Sequence, residues 1–121
     1  MAKILIVEDD ESFRKAICAL LKKKKHEVYE AAHGKGAIEV LSIQDCDMVL
    51  TDIQMPGMNG IELLEWSIKN KPIPFIVMTG FSTILENKSV YDLGAKGFIS
   101  KPFKNVDLIT IINKTLGISD I

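Results

Sequence analysis

Short apolar runs recur along the chain at 3–7, 28–31, 48–52, 75–78 and 98–100, and most of them stop abruptly at a polar or glycine residue. A run of four or five such residues suits a strand buried in a parallel sheet. The segments between them carry helical spacing instead. Phe13, Ala16, Ile17, Leu20 and Leu21 fall at i, i+3, i+4, i+7 and i+8. Five strands alternating with five helices therefore define an α/β chain, with a parallel sheet covered on both faces.

The helix boundaries follow from local chemistry. Ser12 is placed to cap the first helix, which the lysine run Lys22 to Lys25 ends. Gly34 and Gly36 bracket a turn before a short helix over 37–43, with Ala37, Val40 and Leu41 facing inward. After the third strand, Pro56, Gly57, Asn59 and Gly60 demand a loop, and Ile61, Leu63, Leu64 and Ile68 then recur at helical spacing. Pro72 and Pro74 end that helix. A weakly patterned helix is expected over 82–93, closed by Gly94. The last spans 105–116, with Val106, Leu108, Ile109, Ile111 and Ile112 as its apolar face.

At 121 residues the chain has room for one domain, 1–121, and no linker or repeat interrupts it. A hydrophobic fraction of 47% and a charged fraction of 26% are those of a soluble globular domain. A net charge of −1 gives no electrostatic reason to expect nucleic acid or an anionic membrane. The basic block Lys22 to Lys25 is read as meeting the negative end of a helix dipole. No apolar run approaches a membrane span, and Met1-Ala2-Lys3 leads into a strand rather than a leader, so a cytoplasmic location is expected. Cys18 and Cys46 form no metal-ligand pattern with His26 or His33 and are expected to be reduced thiols.

The chemistry collects at the carboxyl ends of the strands, where open parallel sheets bind ligands. The first strand delivers Glu8, Asp9 and Asp10, the third Asp52, the fourth Thr79 and the fifth Lys101. Two carboxylates 4 Å apart repel by about 4 kcal/mol at an effective dielectric of 20, so they must share a proton, bind a cation or stand apart. Hard oxygen donors without His or Cys favour Mg²⁺. Asp10 and Glu11 are read as acids suited to a helix start; Asp9 is read as a metal ligand. Lys101, held at a strand tip by Pro102, and the hydroxyl of Thr79 can both meet an anion. Carboxylate nucleophile, divalent metal, ammonium and hydroxyl together suit phosphoryl transfer.

In this order the acidic pair Glu8-Asp9, the stretch Asp52-Ile53-Gln54-Met55-Pro56-Gly57-Met58-Asn59-Gly60, Thr79-Gly80 and Lys101-Pro102-Phe103 resemble the receiver domain of two-component response regulators, over about 3–116. The resemblance implies a flavodoxin-like, doubly wound sheet of order 2-1-3-4-5 and a cis Lys101-Pro102 bond. It implies that Asp52 accepts a phosphoryl group from a histidine kinase or histidine phosphotransfer protein. It implies Mg²⁺ held by Asp9, Asp52 and the Gln54 backbone carbonyl, with Glu8 acting largely through water. Thr79 and Lys101 would contact the phosphoryl group, and Phe98 would be the aromatic switch residue. The implied role is signalling, not enzymatic turnover of a substrate, with a downstream protein or an attached output domain as target. The domain would be a monomer or a phosphorylation-dependent dimer.

Three positions depart from common family practice. Phe98 lacks the hydroxyl of the frequent Tyr. Lys25 stands where the first helix often ends in Gly, which predicts a strained end. Phe81, two residues past Thr79, is expected to crowd the mouth of the site and slow phosphate loss. A flavodoxin-like cofactor binder would carry a Gly/Ser/Thr-rich phosphate loop after the first strand, where this chain has acids. A metal-dependent aspartyl phosphatase would repeat an Asp where Gln54 stands. A pseudo-receiver, folded but never phosphorylated and working through constitutive contacts, usually lacks an acid or the lysine. The chain ends just past its last helix, which suits either a stand-alone receiver or the amino-terminal part of a larger regulator.

Overall fold

Residues 48–52 and 75–79 are buried at every position, as strands with a layer on each face must be. They are two of five strands in a computed structural model that describes residues 2–80 and 91–118. In chain order the elements are β1 (Lys3–Val7), α1 (Glu11–Lys23), β2 (Glu27–Ala31), α2 (Gly34–Ile43), β3 (Met48–Asp52), α3 (Gly60–Asn70), β4 (Phe75–Thr79), β5 (Gly97–Ser100) and α4 (Asn105–Leu116). All pairings are parallel and the order is β2-β1-β3-β4-β5, as the resemblance implied. Among the described residues there are four helices; the helix expected over 82–93 lies, up to residue 90, outside them.

Side chains alternate across each strand, so the sheet divides the core into two. Leu5, Val7, Val49, Phe75 and Val77 meet Ala37 and Leu41 of α2 and Leu63 and Leu64 of α3. Ile4, Ile6, Met48, Leu50, Ile76 and Met78 meet Ile17 and Leu21 of α1 and Leu108 and Ile112 of α4. At about 25 cal/mol per Å² of apolar surface removed from water, these two layers are the main stabilising term.

Several local expectations are corrected. The cap of α1 is Asp10, whose Oδ1 accepts from the Phe13 amide at 3.1 Å, and not Ser12. A carboxylate there also meets the positive end of the helix, which strengthens it over a hydroxyl. The helix presents Ile17, Cys18 and Leu21 to the core and leaves Ala16 exposed. Gly34 and Gly36 lie inside α2, because His33 Nδ1 accepts from the Gly36 amide at 3.0 Å and starts the helix early. Ile68 and Val106 sit on outward faces, at 49% and 65% exposure. Lys25 has a φ of 71°, so the strained helix end expected there is present.

Two devices aim the chain at the strand tips. Asn59 and Glu62 form a reciprocal capping box that fixes the start of α3 immediately after the β3 loop. Gly60 lies against the Asp52 carbonyl oxygen so closely that any Cβ would collide with it, so only glycine lets α3 begin there. Lys71, just past α3, donates from Nζ to the carbonyls of Leu41 at 2.7 Å and Gln44 at 3.2 Å and pairs with Asp45 at 3.0 Å. It thereby closes the end of α2 from the neighbouring helix. The Lys101-Pro102 bond is cis.

Candidate functional site

Strand register brings the tips together. Val7 pairs with Thr51, Asp52 with Met78 and Thr79 with Ser100, so the residues just past β1, β3, β4 and β5 share one edge of the sheet. Strand order reverses between β1 and β3, the place where such sheets open a crevice. Glu8, Asp9 and Asp52 converge there, each offering a carboxylate oxygen within 4.8 Å of the others. Glu8 is 1% exposed and Asp52 6%, whereas Asp9 faces solvent.

Lys101 reaches in from the end of β5. Its ammonium donates to Glu8 Oε1 at 2.6 Å and to Asp52 Oδ2 at 3.1 Å. The remaining Asp52 oxygen, Oδ1, accepts from the Gln54 amide at 3.3 Å. Thr79 ends β4 as a buried residue, and its carbonyl accepts from the Lys101 amide at 2.7 Å. Phe98 lies two residues before Ser100, half-buried, and packs on the α2–α3 side of the sheet rather than in the acidic cluster. Gln54 is exposed in the loop past β3. Phe81 lies outside the described residues.

The electrostatics follow from burial and pairing. Burial raises the Glu8 pKa above its ordinary value, and the nearby Asp52 charge adds to this, although Lys101 and the Asp10 amide pull the other way. Burial alone would depress the Lys101 ammonium, but its bonds to Glu8 and Asp52 outweigh that and hold its pKa above the ordinary value. A buried carboxylate pair bridged by one ammonium is costly to empty of cations and able to accept a further one. The donor set is all hard oxygen, three carboxylates wide, and therefore fits a small divalent cation such as Mg²⁺. By contrast the two thiols are buried and free, and burial pushes Cys18 up to about 11 and raises Cys46 as well, which favours the protonated thiol at both.

Two neighbours of the cluster escape a reading by strand ends. Arg14 donates from Nη1 to the Glu8 carbonyl at 2.7 Å and from Nε to Glu30 at 3.0 Å, bracing the acidic turn against β2. Phe13 lies under the Lys101 ammonium, 4.5 Å from Nζ to the ring centroid, and meets Phe103 edge-on at 5.7 Å. Their signal in the sequence was faint. Both follow the acidic turn by about one helical turn, which places them near it only once the helix start is known to be Asp10.

A family model described as the response regulator receiver domain matches residues 4–113. The chain is 36% identical over 118 residues to a probable transcriptional regulator, ycf29, of Pyropia yezoensis, covering 95% of this chain and 53% of that protein. It thus spans about half the length of that curated relative. Among solved structures, a CheY-like response regulator receiver domain protein from Methanospirillum hungatei JF-1 superposes with a TM-score of 0.90 at 30% identity, over 97% of this chain and 94% of the other. The chemotaxis response regulator CheY4 of Vibrio cholerae gives 0.90 at 28% identity, over 96% and 99%. The chain belongs to the response regulator receiver domain family, a signalling domain of two-component systems. Among the described residues no helix is long and apolar enough to cross a membrane.

Proposed function

We propose that the domain, residues 1–121, is a phosphorylation-controlled switch whose phosphoacceptor is Asp52. The observation that carries this reading is the meeting of Glu8, Asp9 and Asp52 with Lys101 bridging two of them. A carboxylate oxygen of Asp52 attacks the phosphorus of a phosphohistidine on a histidine kinase or histidine phosphotransfer protein. The new O–P bond forms as the P–N bond breaks, and the imidazole leaves with its electron pair. Hydrolysis of the acyl phosphate returns the carboxylate and inorganic phosphate.

When bound, Mg²⁺ supplies charge neutralisation for the phosphoryl oxygens. Asp9, Asp52 and the Gln54 carbonyl would hold it, with Glu8 acting largely through water. Lys101 turns its ammonium from the carboxylates to the phosphoryl oxygens, and Thr79 donates its hydroxyl to the same group. Movement of Thr79 toward the phosphoryl group frees space beside β4 that the Phe98 ring fills by turning inward. The phosphoryl group thereby biases an equilibrium between two conformers, and swinging it from mostly off to mostly on takes about 5.5 kcal/mol. Charge-assisted hydrogen bonds from Lys101 and Thr79 supply a good part of this. The surface formed by β5 and α4 carries the change to a downstream protein or attached output domain, or to a second copy of the chain, in the cytoplasm.

Intact mass after incubation with acetyl phosphate or phosphoramidate, with and without Mg²⁺, tests the assignment. Wild type should gain one Mg²⁺-dependent phosphoryl adduct, and Asp52→Asn none. No adduct in wild type under any condition would turn the reading to a pseudo-receiver that acts by constitutive contacts.

A further inference from the structure

Lys101 and a divalent cation want the same oxygens. The ammonium occupies Glu8 Oε1 and Asp52 Oδ2, and both residues belong to the three-carboxylate cluster that suits a metal. A metal that takes those oxygens must draw them off the ammonium or push the ammonium outward. The position of Nζ has a third determinant, the Phe13 ring 4.5 Å away, itself braced edge-on by Phe103. An aromatic face attracts an ammonium through its quadrupole, and more strongly where water is excluded; Lys101 is 23% exposed. The same face offers nothing to Mg²⁺, which holds its oxygen shell tightly. The ring thus strengthens one competitor and not the other.

We infer that Phe13 is a positioning residue that sets the divalent-metal affinity of the site, by holding Lys101 in place as the pocket's resident cation. The inference rests on the metal reading of the acidic cluster. It assigns α1 a role in tuning the site that the strand-end residues alone do not contain. Loss of the aromatic face should loosen Lys101 and ease metal entry; a larger aromatic face should do the opposite.

The test is Mg²⁺ titration by calorimetry, with no phosphodonor, on wild type, Phe13→Leu and Phe13→Trp, each also in a Lys101→Met background. Leu keeps the apolar bulk without the ring, and Trp offers a stronger cation-binding face. Phe13→Leu should bind Mg²⁺ about two- to five-fold more tightly and Phe13→Trp more weakly by a similar factor, and both differences should vanish without Lys101. A merely structural Phe13 would shift both variants the same way or not at all, and that result, or a Leu effect that persists without Lys101, overturns the inference. Failure of wild type itself to bind Mg²⁺ would overturn the metal reading first, and this one with it.

Discussion

The imidazole of His26 accepts a hydrogen bond from the Ala2 amide through Nδ1 at 3.1 Å, which ties the start of β1 to the turn before β2. That bond requires an unprotonated Nδ1, and burial lowers the His26 pKa below its ordinary 6.5. The sign follows directly. As pH falls through 6.5 the unfolded chain takes up the proton before the folded one, so stability present above that pH is lost down to the folded pKa. Glu8, whose pKa burial raises, has the opposite sense. Comparison with His26→Gln cancels it: between pH 7.5 and 5.5 the thermal midpoint of wild type should fall more steeply than that of the variant. Equal slopes would dismiss His26 as a contributor. At this scale the acids, Thr79 and Lys101 were legible because chain order alone puts them at strand tips. Phe13 and Arg14 were not, because their roles depend on how α1 is rotated about its axis.

Among the elements, strands were easier to read than helix ends. A fully buried strand declares itself by composition, as β3 and β4 do. A helix start is decided by whichever side chain reaches a free amide first, and both Asp10 and His33 won over the expected starts. The helix expected over 82–93 lay where the apolar pattern is weakest. The other end of α1 was legible from chemistry, since Lys25 occupies a left-handed conformation, φ 71°, that glycine adopts without strain. Lys25→Gly should therefore stabilise the domain by about 0.5–1 kcal/mol, after allowing for the greater freedom of glycine in the unfolded chain. Urea midpoints measure this. A destabilised variant would mean that the lysine side chain contributes more than its backbone costs.

For the molecule as a whole, the fold places its least comfortable feature at the middle of the sheet. Glu8, Asp9 and Asp52 project from β1 and β3, the two strands on either side of the topological reversal, where each is locked by a parallel neighbour on both edges. Like charges held so rigidly oppose folding, and a ligand that binds only the folded arrangement offsets them by mass action. At a hundredfold excess over its dissociation constant such a ligand adds about 2.7 kcal/mol. Mg²⁺ should thus raise the unfolding temperature and EDTA return it, with no phosphodonor present. An unchanged midpoint at millimolar Mg²⁺ would count against the pocket as a metal site.

Lys101 also fixes an arithmetic of charge. With its three carboxylates ionised the pocket carries three negative charges, and the embedded ammonium cancels one, leaving two (3 − 1). While the ammonium stays beside the pocket, a sodium ion would leave one negative charge uncompensated and a divalent ion none, so the charge balance favours a divalent ion.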